Sequence, residues 1–579
     1  MRVWREDRVV GWIIVAFALS QVLAMGWDLP GSYGWENDGI APRDFFAGIG
    51  LNLTPGRGHR YPLFHNLVLG ILSLPVLLPA VLRGDEWSLP ALKQQMLTVP
   101  TMTGVSIIAK GLSLAMACIS ILYLARIARR TVSARAGRWA AIWAATSLSF
   151  AYYGRVSNLD GPYLMWTVLA MDRLLSIAEN RQRRDYVWFG VFAGVAVATK
   201  DQAYAGFVLT GLVYLILLPA RADRPLGDRP THYLNTAWAT LAGALSLGLL
   251  GAGLLNPTGF LARFRELTGG ASHDWMTYER TLGGLTQNLV DLFLAQEPFL
   301  WPWLVVALCW LGIVLAASAE SEEGLHSRTF RLLPLCAGVS SLVFFTLVVA
   351  RCEHRFLLPF GFWLSYYGGV GSSALLSWAE RRGVGPMRAA HVIGAGLVIA
   401  AALHSFQVHL TQRGDARNQV AAYLASIEPG TVVETYHLLV HLPHFDLSEG
   451  SPYRVQRVSR RPIAERNPLP GAREIDEPYT NIAERMPDLL VVPEFSAREF
   501  LPRQLREGQA TPTVLAKNQA DRDAQTFFES ILDDSLNGYE VVSIVEPVMP
   551  AWAIALGLQP VQVHQSVGNR QWILERTHH

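Results

Sequence analysis

Two carboxylates, Glu36 and Asp38, stand in the stretch SYGWENDGIAPRDFF (32–46), just after the first apolar run of the chain, with Trp27, Tyr33 and Trp35 beside them. A carboxylate at an apolar boundary is costly to desolvate, so its pKa tends to rise, which suits a general base. A third acid, Asp160, lies in YYGRVSNLDGPYL (152–164), where Arg155 and Asn158 share a very short connection between two apolar runs. Cations and histidines gather in neighbouring turns: Arg57, His59 and Arg60; Lys200 beside Asp201; His273 with Asp274; and Arg351, Glu353, His354 and Arg355. Paired cations of this kind can hold a phosphate. Each group also has a plainer explanation. Asp160 before Gly-Pro suits a helix cap, a loop acid can simply face water, and a boundary arginine can snorkel to the interface. Their convergence on one set of turns is what points to a site.

The elements that must position these groups are membrane helices. Of 579 residues 51% are hydrophobic and 17% charged, against about 25% charged in a typical soluble protein. The 18 tryptophans suit a chain with many membrane–water interfaces. The formal net charge is +2, and no basic stripe of the kind that binds nucleic acid is visible. A span needs roughly 20 apolar residues, and candidates fall at 9–27, 103–125, 139–154, 161–178, 187–199, 203–219, 234–255, 298–316, 332–350, 356–378 and 391–409. The fold class expected is therefore an α-helical polytopic membrane protein of about eleven spans over residues 1–409. Arginine clusters at 126–138, 181–184, 221–229 and 381–388 mark the cytoplasmic loops. They all fall on one side only if the apolar stretch 61–82, broken by Pro75 and Pro79, lies on or dips into the outer face without crossing. Outer loops of 28–102 and 256–297 follow, and the groups above are expected on that outer side.

From 410 onward the pattern changes. DARNQVAAYLASI has helical spacing, whereas TVVETY, DLLVV and EVVSIV read as short buried strands, giving a soluble C-terminal α/β domain over 410–579 on the non-cytoplasmic side. The four cysteines, at 118, 309, 336 and 352, lie in or beside apolar segments without metal-ligand spacing. None is in the tail, which points to a bacterial inner membrane rather than a eukaryotic secretory setting.

The order of these groups resembles the GT-C superfamily of membrane glycosyltransferases, of the protein O-mannosyltransferase and aminoarabinose transferase type (glycosyltransferase family 39). The matching elements are Asp38-Gly-Ile-Ala in the first outer loop, Arg60-Tyr-Pro-Leu63, Asp160, Val197-Ala-Thr-Lys200 and Arg355-Phe-Leu-Leu-Pro359, within residues 9–409. Two positions depart: Gly39 stands where many members carry a second acid, the nearest being Glu36, and Arg60 replaces a lysine. The resemblance implies an inverting transfer of a sugar from a polyprenyl-phosphate donor to an acceptor hydroxyl on a lipid, glycan or protein. Asp38 would be the base, with Glu36 and Asp160 as further catalytic acids. Arg60, Lys200, Arg355 and Arg57 would hold the donor phosphate. Arg155, Asn158, His273, Asp274, Glu353 and His354 would line the substrates. The departures leave open whether a divalent metal ion takes part. The competing reading is a transporter or lipid-linked sugar flippase, which calls for polar residues at mid-membrane depth and paired repeats. Here most spans are cleanly apolar and no repeat is visible.

Overall fold

The computed structural model describes residues 7–577 except 37, 43, 84–87, 218–227, 269–277, 320–327, 352, 437, 449, 460–461, 464–467, 470, 499–518 and 564–566. The body is helical: α1 (Arg8–Val22), α2 (Asp44–Leu53), α3 (Leu63–Leu82), α4 (Val99–Thr131), α5 (Ala134–Ala145), α6 (Asp160–Asn180), α7 (Arg183–Thr199), α8 (Ala205–Leu217), α9 (Asp228–Leu250), α10 (Trp303–Ser318), α11 (Arg328–Phe344), α12 (His354–Arg382) and α13 (Val384–Arg413). The expected spans fall on helices of this set. The chain is a multi-pass membrane protein, and α3, α4, the α11 segment and α13 are each long and apolar enough to cross a bilayer.

Two of the expected elements differ in form. The run 139–154 is interrupted at Thr146–Ser147, and a short helix, Leu148–Tyr153, follows. The break is held by an outside partner, since the Leu148 amide donates to the carbonyl of Leu300 at 3.0 Å. The second difference is α3, which runs unbroken through Pro75 and Pro79. In an apolar setting a helix remains the cheapest way to satisfy the backbone even where a proline removes a bond.

Twenty residues at 1.5 Å each give α3 a length of about 30 Å. Its packing bears on where that length lies. Lys110, a third of the way along α4, donates to the Met25 carbonyl at 3.1 Å and pairs with Asp28, so it is tied to the chain leaving α1. α3 packs on the part of α4 that precedes Lys110: Leu69 and Leu77 cluster with Met102, Val105 and Ala109, and Val76 faces Gly104. These contacts attach α3 to the first third of α4, and at its start Phe64 meets Trp166 of α6.

The tail begins where α13 ends. α14 (Ala416–Leu424) leads into β1 (Thr431–Tyr436), β2 (Tyr453–Val458), β3 (Arg473–Ile475), β4 (Leu489–Pro493), α15 (Gln519–Leu532), β5 (Tyr539–Val545) and β6 (Gln571–Arg576). The sheet order is β3-β2-β1-β4-β6-β5, with the first four strands parallel and β6 antiparallel to both β4 and β5. Parallel strands bury both faces, and the alternation along β4 divides them. Leu490 and Val492 cluster with Tyr436 and with Phe527, Phe528 and Ile531 of α15. Leu489 and Val491, with Val433, Val455 and Ile573, join the core that contains Trp27, Tyr33 and Trp35. One face of the tail sheet is thus part of the main core, and the α/β domain is built onto the helical body.

The side on which α3 ends is testable. Cysteines placed at 93 and 133 should label from opposite faces of sealed membranes, 93 from outside and 133 from the cytoplasm. The reverse pattern, 93 labelled from the cytoplasm and 133 from outside, would mean that α3 crosses.

Candidate active site

The loop that leaves α1 is folded back on itself from its start. The Trp35 amide donates to Asp28 Oδ2 at 3.2 Å, and Lys110 holds the other oxygen of Asp28. The loop then turns: the Gly39 amide donates to the Glu36 carbonyl at 3.1 Å, and the Ile40 amide to the Ser157 carbonyl at 3.0 Å. This joins the Glu36–Asp38 loop to the turn carrying Asn158 and Asp160. A side chain at 39 would meet Ser157 Oγ at 2.7 Å. The two turns thus approach closely at Gly39, where a side chain would have to displace the Ser157 hydroxyl.

Each carboxylate has its own partners. Asp38 accepts from Tyr61 Oη at 3.1 Å, pairs with the Arg355 guanidinium, and has Arg60 at 3.9 Å. Glu36, buried, accepts from Tyr152 Oη and from Asn158 Nδ2, the latter at 3.2 Å. Asp160 opens α6, where the helix dipole favours an acid, and its amide donates to Asn158 Oδ1 at 2.9 Å. One of its oxygens takes Lys200 Nζ at 2.6 Å, with both side chains buried. The other is buried with no hydrogen-bond partner among the described residues. Lys200 reaches there because it closes α7, its own amide still donating to the Ala196 carbonyl.

The groups share one electrostatic neighbourhood. Burial drives the Tyr61 hydroxyl well above the ordinary phenol range; Asp160, Asp44 and Glu36 push the same way, against Arg60. Burial lowers the Arg355 guanidinium, and the Glu36 charge opposes that shift. Glu353 lies 2.7 Å from Arg355 Nε and also holds Arg351. Arg60 is the more accessible of the two cations beside Asp38, its side chain 46% exposed and bonded to Asp44 at 2.7 Å. From the sequence, apolar neighbours are expected around Asp38; in the structure its neighbours are the Tyr61 hydroxyl and the guanidinium groups of Arg355 and Arg60.

Glu36, Asp38, Arg60, Asn158, Asp160, Lys200, Glu353 and Arg355 are thus brought together. Arg155 is not. Its guanidinium is buried, donating to Gln21 Oε1 at 3.1 Å and the Ala24 carbonyl at 2.8 Å and meeting His409 and Gln412, so it joins α1 to α13. Arg57 is exposed, and its carbonyl takes Asn256 Nδ2 at 2.7 Å. His273, Asp274 and the His354 side chain lie outside the described residues. Among the described residues, no group of three or more His, Cys, Asp or Glu is placed to hold a metal ion.

Two features of the site are invisible in the sequence. Tyr61 sits inside the Arg60-Tyr-Pro-Leu63 element and bonds Asp38. The other is the tail itself. Arg417 makes two bonds to Asp415, at 2.9 and 2.6 Å, and lies over the ring of Trp35 at 4.0 Å. Trp27 Nε1 donates to Asp415 at 3.0 Å, and Trp35 Nε1 to the Leu442 carbonyl at 2.9 Å. His444 stacks on Trp35 at 4.6 Å. The residue before Glu36 is therefore gripped by the tail.

Breaking a buried ion pair by removing one partner costs about 3–5 kcal/mol. Arg417→Ala should lower the thermal unfolding midpoint of the purified protein and speed protease cleavage within the tail. Arg417→Lys, lacking the planar fork, should restore only part of the loss. An unchanged midpoint in Arg417→Ala would show that the pair does not join the two regions.

A family model described as dolichyl-phosphate-mannose-protein mannosyltransferase matches residues 102–246. Among solved structures, ArnT from Cupriavidus metallidurans bound to undecaprenyl phosphate is 14% identical with a TM-score of 0.50, covering 83% of this chain and 93% of that one. The oligosaccharyltransferase AglB from Archaeoglobus fulgidus, in complex with an inhibitory peptide and a dolichol-phosphate, is 11% identical with a TM-score of 0.47, covering 99% and 89%. No curated protein matches the sequence significantly. The chain shares its fold with ArnT, and residues 102–246 match the mannosyltransferase family model.

Proposed function

We propose that the protein transfers a sugar from a polyprenyl-phosphate donor to an acceptor hydroxyl at the outer face of a bacterial inner membrane, with inversion at the anomeric carbon. The observation that carries this reading is the pairing of Asp38 with Arg355 in the same cluster as Glu36 and the Asp160–Lys200 pair. ArnT, whose fold the chain shares, was solved with undecaprenyl phosphate bound.

In this reading the acceptor hydroxyl gives its proton to Asp38 as its oxygen bonds the anomeric carbon. The bond from that carbon to the phosphate oxygen breaks, and the electron pair leaves with the polyprenyl phosphate. The added negative charge needs cations placed in advance, which a water-poor site makes more effective. Arg355 and Arg60 stand beside Asp38, and Lys200 holds Asp160, whose second oxygen is unpartnered among the described residues. Arg355 has a double role: it pairs with Asp38 at rest, and an incoming phosphate competes for it and leaves the carboxylate free to take the acceptor's proton. Glu36, fixed by Tyr152 and Asn158, orients the acceptor.

Asp38→Asn keeps the size of the side chain but cannot accept the proton. Loss of a general base costs about 10²–10⁴-fold in rate, so turnover should fall by that order while donor binding changes little. Glu36→Gln should lose less, and Asp160→Asn should fall between them or weaken donor binding. The measurement is transfer of labelled sugar from several polyprenyl-phosphate sugars, set against donor binding, in nanodiscs. A fully active Asp38→Asn protein would sink the mechanism.

A further inference from the structure

The tail carries a second attachment to the helical body, away from the carboxylates. From Pro547 to Val563 the sequence PVMPAWAIALGLQPVQV has no charged residue, although the tail around it is rich in arginines and acids. This run is strapped along the last turns of α13. The Val548 amide donates to the Gly414 carbonyl at 2.9 Å, and a side chain at 414 would run into the Val548 carbonyl, so glycine alone admits the crossing. Farther along the run, the Gln559 amide donates to Gln407 Oε1 at 3.2 Å and the Val561 amide to Thr411 Oγ1 at 3.0 Å. Between these bonds, Met549, Ala553 and Leu558 pack with Leu410, Leu403 and Phe406 of α13.

Helix geometry gives the depth of this contact. From Gly414 to Leu403 is about 16 Å along a helix at 1.5 Å per residue. The run therefore leaves the tail at the end of α13, descends beside it to residues within the expected span 391–409, and returns. At its tip, in the short helix Ala551–Ala555 and the turn after it, Trp552, Ile554 and Leu556 are 50%, 61% and 60% exposed. α13 itself presents Val392, Ile393 and Ile399 outward, each more than half exposed. An uncharged tip continuous with the apolar flank of a spanning helix matches the chemistry of a bilayer: acyl chains for Ile554 and Leu556, and the interface for an indole such as Trp552.

We infer that residues 548–558 form a membrane-seated loop, dipping into the leaflet on the tail's side against the end of the last helix. The occupant of the exposed face is phospholipid. The loop fixes the depth of the α/β domain relative to the bilayer, independently of the clamp at Trp27 and Trp35.

The test is photo-crosslinking in phosphatidylcholine nanodiscs, with p-benzoylphenylalanine replacing one residue of the full-length protein at a time and adducts read by mass. Ile399→p-benzoylphenylalanine reports a lipid-facing span position, and Arg454→p-benzoylphenylalanine an exposed polar position of β2. The expected result is a phospholipid adduct at 554 with a yield comparable to that at 399, and none at 454. A lipid adduct at 399 without one at 554 would overturn the inference. So would adducts as abundant at 454 as at 554, or crosslinking of 554 to a second copy of the chain in place of lipid.

Discussion

The Arg417–Asp415 pair, closed between the indoles of Trp27 and Trp35, is the contact on which the arrangement around the carboxylates depends. Both side chains are almost wholly buried, so neither charge is tolerable without the other. The pair belongs to the tail, but its surroundings belong to the loop that leaves α1. Trp27 donates to Asp415, while Tyr33 and Trp35 donate to the carbonyls of Pro443 and Leu442. A loop of small and polar residues after a membrane helix would ordinarily be mobile. Here three aromatic side chains ahead of Glu36 are held both by their rings and by their polar atoms. The indole and phenol groups can be buried because each finds an acceptor.

From that grip the geometry of the carboxylates follows. Trp35 fixed means Glu36 fixed, and Glu36 is further held by Tyr152 and Asn158. The turn at Gly39 then sets Asp38 toward Tyr61 and Arg355. Three acids in one neighbourhood repel one another. The structure relieves this by giving Asp38 and Asp160 a cation each, Arg355 and Lys200, and Glu36 two neutral donors. The cations come from the starts and ends of helices, Lys200 closing α7 and Arg355 opening α12. A charged head there can sit at the edge of the apolar region while its backbone remains within a helix.

How much of this is legible in the sequence depends on the range of the interaction that defines each feature. Spans are local, and apolar runs locate them. Glu36, Asp38, Asp160, Lys200 and Arg355 are legible because each sits at a turn between apolar runs, on the side opposite the arginine clusters. Arg155 shows the limit: its position in a turn gives no sign that its guanidinium points along α1 and α13. β2 is hidden for a related reason. Tyr-Arg-Val-Gln-Arg-Val looks too basic for a buried strand, yet Arg457 is paired with Glu474 at 3.0 Å from the adjacent β3. Tyr61 and Arg417 escape a sequence reading altogether, because what they do is set by partners distant in the chain. For Tyr61 the partner is Asp38, and for Arg417 the partners include Trp27 and Trp35.

Two attachments of the tail, one to the first loop and one beside α13, bear on what that rigidity is for. A reaction between a lipid-borne donor and a water-borne acceptor requires the two to meet at a fixed depth, and misplacement by about 1 Å can cost about 10²-fold in rate. Helices alone set the depth of groups such as Lys200 and Arg355 that sit at their ends. They cannot set the depth of Asp38, which lies on no helix, in the loop between Val22 and Asp44. A domain seated against α13 and clamped to Trp35 supplies that missing coordinate, transferring the position of the last helix to the first loop. The tail then contributes to the proposed reaction by holding Asp38, the proposed base, at the level of the cations beside it.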